Sequence, residues 1–210
     1  MAKVSFFIDG FNLYHAIDKL GKDHLKWLDM HKLAKSFLRE DETVHRIVYF
    51  TAYMQWNREK KQRHEQFIKA LESVGVECEV SRFSRTSKYC EVGNRNCKTY
   101  TEKQTDVALA VGMLSSALKD GIDRLVLITA DSDQVPTIKS IKQLSPSVSI
   151  MVVAPPNREN QSRELRMVAD QYKEITPGRL EQCLFPRNIF DKQGNIISIS
   201  PAKYQISKAK

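Results

Sequence analysis

The chain has 210 residues, 41% of them hydrophobic and 28% charged, with a formal net charge of +8. That length and composition fit one sizeable folded α/β unit, with room for a small appendage, and argue against a disordered or fibrous chain. No stretch approaches the roughly 18 apolar residues of a membrane span, and Cys78, Cys90, Cys97 and Cys183 are too irregularly spaced for a secreted disulfide scaffold.

An apolar run, Val4-Ser5-Phe6-Phe7-Ile8, predicts a strand over residues 3–9. It leaves no room for a signal peptide, so the expected location is the cytoplasm. Residues 12–20 read as a helix, and apolar Leu28, Leu33, Phe37 and Leu38 predict a second over 28–38. Residues 45–53 form a continuously apolar strand, and 57–74 an amphipathic helix ended by Gly75. Residues 76–82 alternate like a strand. Periodicity is then lost from Phe83 to Glu102, where Arg82, Arg85, Lys88, Arg95, Lys98 and Lys103 accumulate, so this segment reads as a basic loop. Residues 103–118 predict a helix, 123–129 a strand, 134–144 a helix with Pro136 in its first turn, and 148–153 a strand. A helix over 160–169 and a short strand over 172–175 follow. From Phe185 onward the pattern becomes Pro, Gly-Asn and short β-branched runs, with residues 191–195 as a turn between two short strands, in an appendage or a mobile tail.

Alternating strands and helices imply a mostly parallel sheet covered on both faces. In such sheets ligands bind beyond the carboxyl ends of the strands, where the winding direction reverses. The first strand ends at Asp9-Gly10-Phe11-Asn12 and the strand over 123–129 ends at Ala130-Asp131-Ser132-Asp133. If those two strands flank the reversal, Asp9, Asp131 and Asp133 share a crevice that Asp106, at the head of its helix, reaches from the side. Converging carboxylates repel unless a cation neutralises them or one takes a proton. Oxygen-only donors suit Mg²⁺ or Mn²⁺ better than Zn²⁺. Asn12 would orient a water, a ligand or a phosphate, and the hydroxyls of Thr129 and Ser132 would hold carboxylates. Each aspartate taken singly is equally a helix cap or turn residue; the set of four favours a metal site facing an anionic substrate.

Ile8-Asp9-Gly10-Phe11-Asn12, Lys103-Gln104-Thr105-Asp106-Val107 and Thr129-Ala130-Asp131-Ser132-Asp133 resemble the three motifs of NYN domains, PIN-like metal-dependent ribonucleases, most closely the LabA-like branch. The resemblance runs from about Val4 to Thr176. It implies a Rossmann-like α/β/α sandwich, Mg²⁺ or Mn²⁺, and hydrolysis of RNA phosphodiester bonds. Asp9, Asp106, Asp131 and Asp133 would be metal-binding and catalytic, with Asn12 assisting. Residues 1–178 would be the nuclease domain and 179–210 a C-terminal extension. Gln134 stands where the family usually has an aromatic residue.

Lys103, Arg82, Arg85 and Lys88 are the candidate substrate-binding cations, with Phe83, Tyr89 and Tyr100 available to stack on bases. A solvated surface loop accounts for them equally well. Cys78, Cys90 and Cys97 lack the CxxC spacing of structural zinc sites, so free thiols are expected. His15 and His64 are candidate general bases, against the plainer reading of surface or packing histidines. A metal-dependent endoribonuclease is the leading expectation. A non-catalytic RNA-binding or protein-interaction module of the same fold is the alternative. A sugar-nucleotide transferase reading of Asp131-Ser132-Asp133 leaves Asp9 and Asp106 without a role, and a GxGxxG turn is absent.

Overall fold

The apolar run at the N-terminus is the centre of the molecule. It forms β1 (Ala2–Asp9) and pairs in parallel with β2 (Glu42–Ala52) on one side and β5 (Arg124–Ile128) on the other. The computed structural model describes residues 1–90 and 95–205. Beyond β2 lie β3 (Glu77–Cys90) and β4 (Arg95–Lys103); beyond β5 lie β6 (Ser149–Ala154) and β7 (Gln171–Glu174). The seven-stranded order is β4-β3-β2-β1-β5-β6-β7, parallel throughout except for β4. Winding therefore reverses between β1 and β5, the two strands that end in the aspartate motifs.

Alternation within β1 supplies both cores of this α/β/α sandwich. Val4, Phe6 and Ile8 face α1 (Gly10–Asp18), α2 (Met30–Lys35) and α3 (Arg58–Ser73), with Leu13, Leu33, Phe67 and Leu71 buried against them. Phe7 faces the other way, toward Leu109 and Met113 of α4 (Thr105–Lys119) and Ile138 and Ile141 of α5 (Val135–Leu144). Two short helices, α6 (Arg163–Val168) and α7 (Pro177–Gln182), complete the layers. Among the described residues no helix is long and apolar enough to cross a membrane.

Two expectations about elements require correction. The helix over 28–38 is shorter, because the Asp29 carboxylate accepts the His31 and Lys32 amides and so starts the helix at Met30, while Leu28 bridges to Leu184. The basic loop is an antiparallel ribbon, β3 with β4, in register from Arg82↔Lys103 to Cys90↔Arg95. Its apolar side chains are too few and too scattered to alternate, so period-2 patterning gives no signal there. The side chains of Lys88, Cys90 and Cys97 in this ribbon lie outside the described residues.

The C-terminal segment forms a hairpin of β8 (Asn188–Phe190) and β9 (Ile196–Ile199). Its turn is held by Asp191 Oδ1, which accepts the amides of Gln193 and Asn195, both at 2.8 Å. The segment packs on the α1–α3 side. Phe185 and Ile189 join that core, Trp27 Nε1 donates to the Pro186 carbonyl (2.9 Å), and Ser198 Oγ donates to the Gln66 carbonyl (2.7 Å).

Candidate metal centre

Asp9 is the last residue of β1 and the N-cap of α1. Its Oδ1 accepts the Asn12 amide at 3.0 Å and its Oδ2 accepts the Thr129 hydroxyl at 2.9 Å. The Thr129 hydroxyl oxygen in turn accepts the Asp131 amide at 3.1 Å, and Asn12 Oδ1 accepts the Ala130 amide at 3.1 Å. The two motif corners are thus cross-linked at the reversal of the sheet. Asn12 spends its carbonyl oxygen on this link, which leaves its Nδ2 amide as the donor for a ligand.

Gly10 is required by close approach rather than by an unusual φ. A Cβ there would lie 2.5 Å from the Phe50 carbonyl oxygen, a backbone atom that cannot rotate away, and 2.5 Å from Tyr49 Cζ. Gly10→Ala is expected to lower stability by roughly 1–3 kcal/mol, as overpacking does, measured as a fall in the urea midpoint. An unchanged midpoint would show that the corner relaxes freely.

Asp106 follows the root of the ribbon, where Lys103 pairs with Arg82 beside the sheet. Gln104, between β4 and α4, adopts a left-handed φ of 79°, which turns the strand directly into the helix and places Asp106 in its first turn. Carboxylate oxygens of Asp9, Asp106 and Asp131 all lie within 4.8 Å of one another. Asp9 is buried, Asp131 half-buried and Asp106 exposed to the crevice. Asp133 is exposed and outside this group of three; its amide donates to Asp131 Oδ1 at 3.0 Å, and its charge acts on Asp106.

The electrostatics follow from burial and crowding. Burial pushes the Asp9 carboxyl up to about 6 against the pull of the Asn12 and Thr129 hydrogen bonds, with the charges of Asp106 and Asp131 adding to the rise. Asp106 is also raised, by burial and then by Asp131 and Asp133. Glu102 in β4 belongs to the same field: burial raises it, the Thr105 hydroxyl beside it lowers it, and the charges of Asp106 and Asp9 add to the rise. A convergent set of hard oxygen donors that repel one another fits a divalent cation such as Mg²⁺ or Mn²⁺.

Glu102 falls in the segment whose lost periodicity reads as a loop, and its position four residues before Asp106 is the sequence signal that marks it. Gln134 is almost fully buried. Its Nε2 donates to the Asp106 carbonyl (3.4 Å) and its Oε1 accepts the Thr137 hydroxyl (3.2 Å), so it ties the start of α4 to the Asp131 loop by hydrogen bonds where an aromatic residue was expected. Ser132 opens the short turn of helix after Asp131. Arg82, Arg85 and Lys103 border one shallow depression with Phe83, Ser84 and Gln104.

The histidines stand apart from the carboxylates. His64 is buried, shares a 3.1 Å hydrogen bond with Thr51, and is pushed by burial down to about 4, so it is a neutral packing residue at physiological pH. It lines a cavity of about 80 Å³ on the α1–α3 side with Tyr14, Lys26, Tyr49 and Tyr204, which none of the carboxylates borders. His15 lies against Phe11 and Tyr14. Cys78 is half-buried, its thiol pushed up to about 12 by burial.

The NYN domain profile matches residues 3–176, which span all three aspartate motifs. The chain belongs to the NYN domain family. The family carries a PIN-like nuclease fold, in keeping with the sheet and its acidic crevice. The chain is also similar to the 6-hydroxy-3-succinoylpyridine 3-monooxygenase HspA of Pseudomonas putida (strain DSM 28022 / S16), at 31% identity over 91 residues, 42% of this chain. It spans only 29% of that relative's length. A solved protein of unknown function from Vibrio parahaemolyticus RIMD 2210633 shares the fold, with a TM-score of 0.58 at 17% identity, covering 84% of this chain and 94% of the other.

Proposed function

We propose that this NYN domain is a divalent-metal-dependent endoribonuclease. One observation carries the reading: Asp9, Asp106 and Asp131, from three separate segments, bring carboxylate oxygens within 4.8 Å of one another at the reversal point of the sheet. A binding module gains nothing from such crowding, which adds to the rise that burial gives the Asp9 carboxyl, to about 6, and so further disfavours its charged form. The net charge of +8 on the same chain favours a polyanion as substrate.

In this reading Asp9, Asp106 and Asp131 hold Mg²⁺ or Mn²⁺, with Asp133 and Glu102 beside them. The ion, when bound, offsets charge on the scissile phosphate and makes water more acidic. Thr129 and the Asn12 amide keep Asp9 in its orientation, while Asn12 Nδ2 donates to a phosphate oxygen or a water. Asp133, exposed at the rim, would accept a proton from the attacking water. Arg82, Arg85 and Lys103 engage the flanking phosphates, which sets the register of the RNA strand.

The test is incubation of purified protein with mixed RNA substrates and Mg²⁺ or Mn²⁺, with an EDTA arm and an Asp106→Asn control. Internal cleavage is expected only in the divalent arms and only with the unaltered protein. RNA that is bound in a salt-sensitive manner but recovered intact in every arm would assign the binding-module reading instead.

A further inference from the structure

A chain of aromatic rings runs from Phe11, at the corner that follows Asp9, along one face of the ribbon. Phe11, two residues after Asp9, meets Phe83 edge to face, with centroids 5.7 Å apart at 87°. Phe83 meets Trp56 in the same way, at 4.9 Å and 87°. Trp56, in the β2–α3 connection, stacks on Tyr100 of β4 at 3.8 Å and 16°. Register explains the alignment. Phe83 pairs with Glu102 and Arg85 with Tyr100, so these four side chains share the face that Glu102 presents to Asp9 and Asp106. Trp56 is 42% and Tyr100 38% exposed. Large aromatic residues on a surface, held rigid by each other and bordered by cations, are the usual arrangement for stacking unpaired bases.

We propose that this face of the β3–β4 ribbon is a stacking track for unpaired nucleotides, with Trp56, Tyr100 and Phe83 engaging bases and Arg85 a backbone phosphate. The occupant is a short single-stranded segment of RNA. Charge complementarity selects it, because Arg85 is exposed opposite Tyr100 on that face and shares with Phe83 a depression that Arg82 and Lys103 also line. A duplex keeps its base faces stacked internally and offers none to Trp56. The inference rests on the ribonuclease reading for its direction, toward the carboxylates, but binding is measured independently of cleavage.

The experiment uses the full chain in EDTA, where no cleavage occurs, and a 5′-labelled 12-nucleotide RNA followed by fluorescence anisotropy. Single-stranded RNA is expected to bind, the same sequence annealed to its complement to bind at least about tenfold more weakly, and single-stranded DNA to report whether the ribose is read. Trp56→Ala and Tyr100→Ala are each expected to weaken binding about tenfold, and Trp56→Phe to retain most of it. Both positions are partly exposed, and unchanged thermal midpoints serve as the folding control. Quenching of intrinsic fluorescence by RNA, absent in Trp56→Phe, gives a second measure, because the other tryptophan, Trp27, is buried. Wild-type affinity in Trp56→Ala, equal affinity for duplex, or no binding of single strands overturns the track. Binding that depends on Trp56 without cleavage in Mn²⁺ leaves the track standing and removes the nuclease. Cleavage with Trp56 and Tyr100 dispensable for binding does the reverse.

Discussion

Asp9→Asn is expected to stabilise the metal-free protein at neutral pH while reducing RNA cleavage roughly 10³-fold, since the loss of several kcal/mol of metal-borne charge stabilisation corresponds to about three decades in rate. The two effects have one cause. In the folded chain the Asp9 carboxyl titrates at about 6 rather than 3.8, chiefly because it is buried. Between those pH values the folded state holds more protons than the unfolded one, so stability falls as pH rises through the window. The loss is complete above the folded value and amounts to about 3 kcal/mol at pH 7.5. An asparagine side chain cannot ionise, so this loss does not occur in the variant, and its amide oxygen can still accept the Asn12 amide and cap α1. Thermal unfolding in EDTA at pH 4 and pH 7.5 measures the difference. Added Mn²⁺ should raise the wild-type midpoint, by about 2.7 kcal/mol of stability at a hundredfold excess over Kd, and do so weakly in the variant. A variant less stable than wild type at pH 7.5 and equally responsive to Mn²⁺ would remove Asp9 from the metal site.

The second large effect lies at the opposite end of the strands. Arg124 opens β5 and Glu42 opens β2; their side chains are 3% and 4% exposed and form a salt bridge. Arg124 also donates to the Phe37 carbonyl at 3.1 Å, and Glu42 accepts the Arg39 amide at 2.7 Å. Glu42→Ala strands a buried guanidinium and is expected to cost about 3–5 kcal/mol. The denaturant midpoint should drop accordingly, while kcat measured well below the new melting point stays near wild type. The paired change Arg124→Met with Glu42→Leu should recover most of the loss, because removing both charges also removes their desolvation cost. A loss under about 1 kcal/mol for Glu42→Ala would mean that water reaches the pair. The contrast with Asp9 divides the sheet by role: charges at the amino ends of its strands neutralise each other, and those at the carboxyl ends repel and weaken it.

Much of the architecture can be read from periodicity. The apolar runs at Val4, Ile47, Leu125 and Ile150 are strands because full burial on both faces demands continuous apolar sequence, and that demand leaves a strong signal. The reversal between β1 and β5 enters the sequence reading only as a condition on the two aspartate-terminated strands, and the pairing of Phe6 with Val126 meets it. The ribbon cannot be read in the same way. A two-stranded projection half in solvent imposes no period on its side chains, so Phe83, Tyr100 and Trp56 look like unrelated aromatics until register and the β2–α3 connection bring them together. Glu102 is hidden for the same reason.

The sequence by itself determined which groups are available: carboxylates at strand ends, a glycine at the first corner, and an excess of positive charge. These follow from local rules, since strand ends, caps and close approaches select residue types one segment at a time. Only the tertiary structure decided which groups meet. Asp106 reaches Asp9 and Asp131 through the left-handed turn at Gln104, Asp133 stays at the rim, and Glu102 points inward because β4 runs antiparallel to β3 in one particular register. A shift of one residue in that register would send Glu102 and Tyr100 to the other face. Convergence depends on pairing between distant segments, and no single segment encodes it.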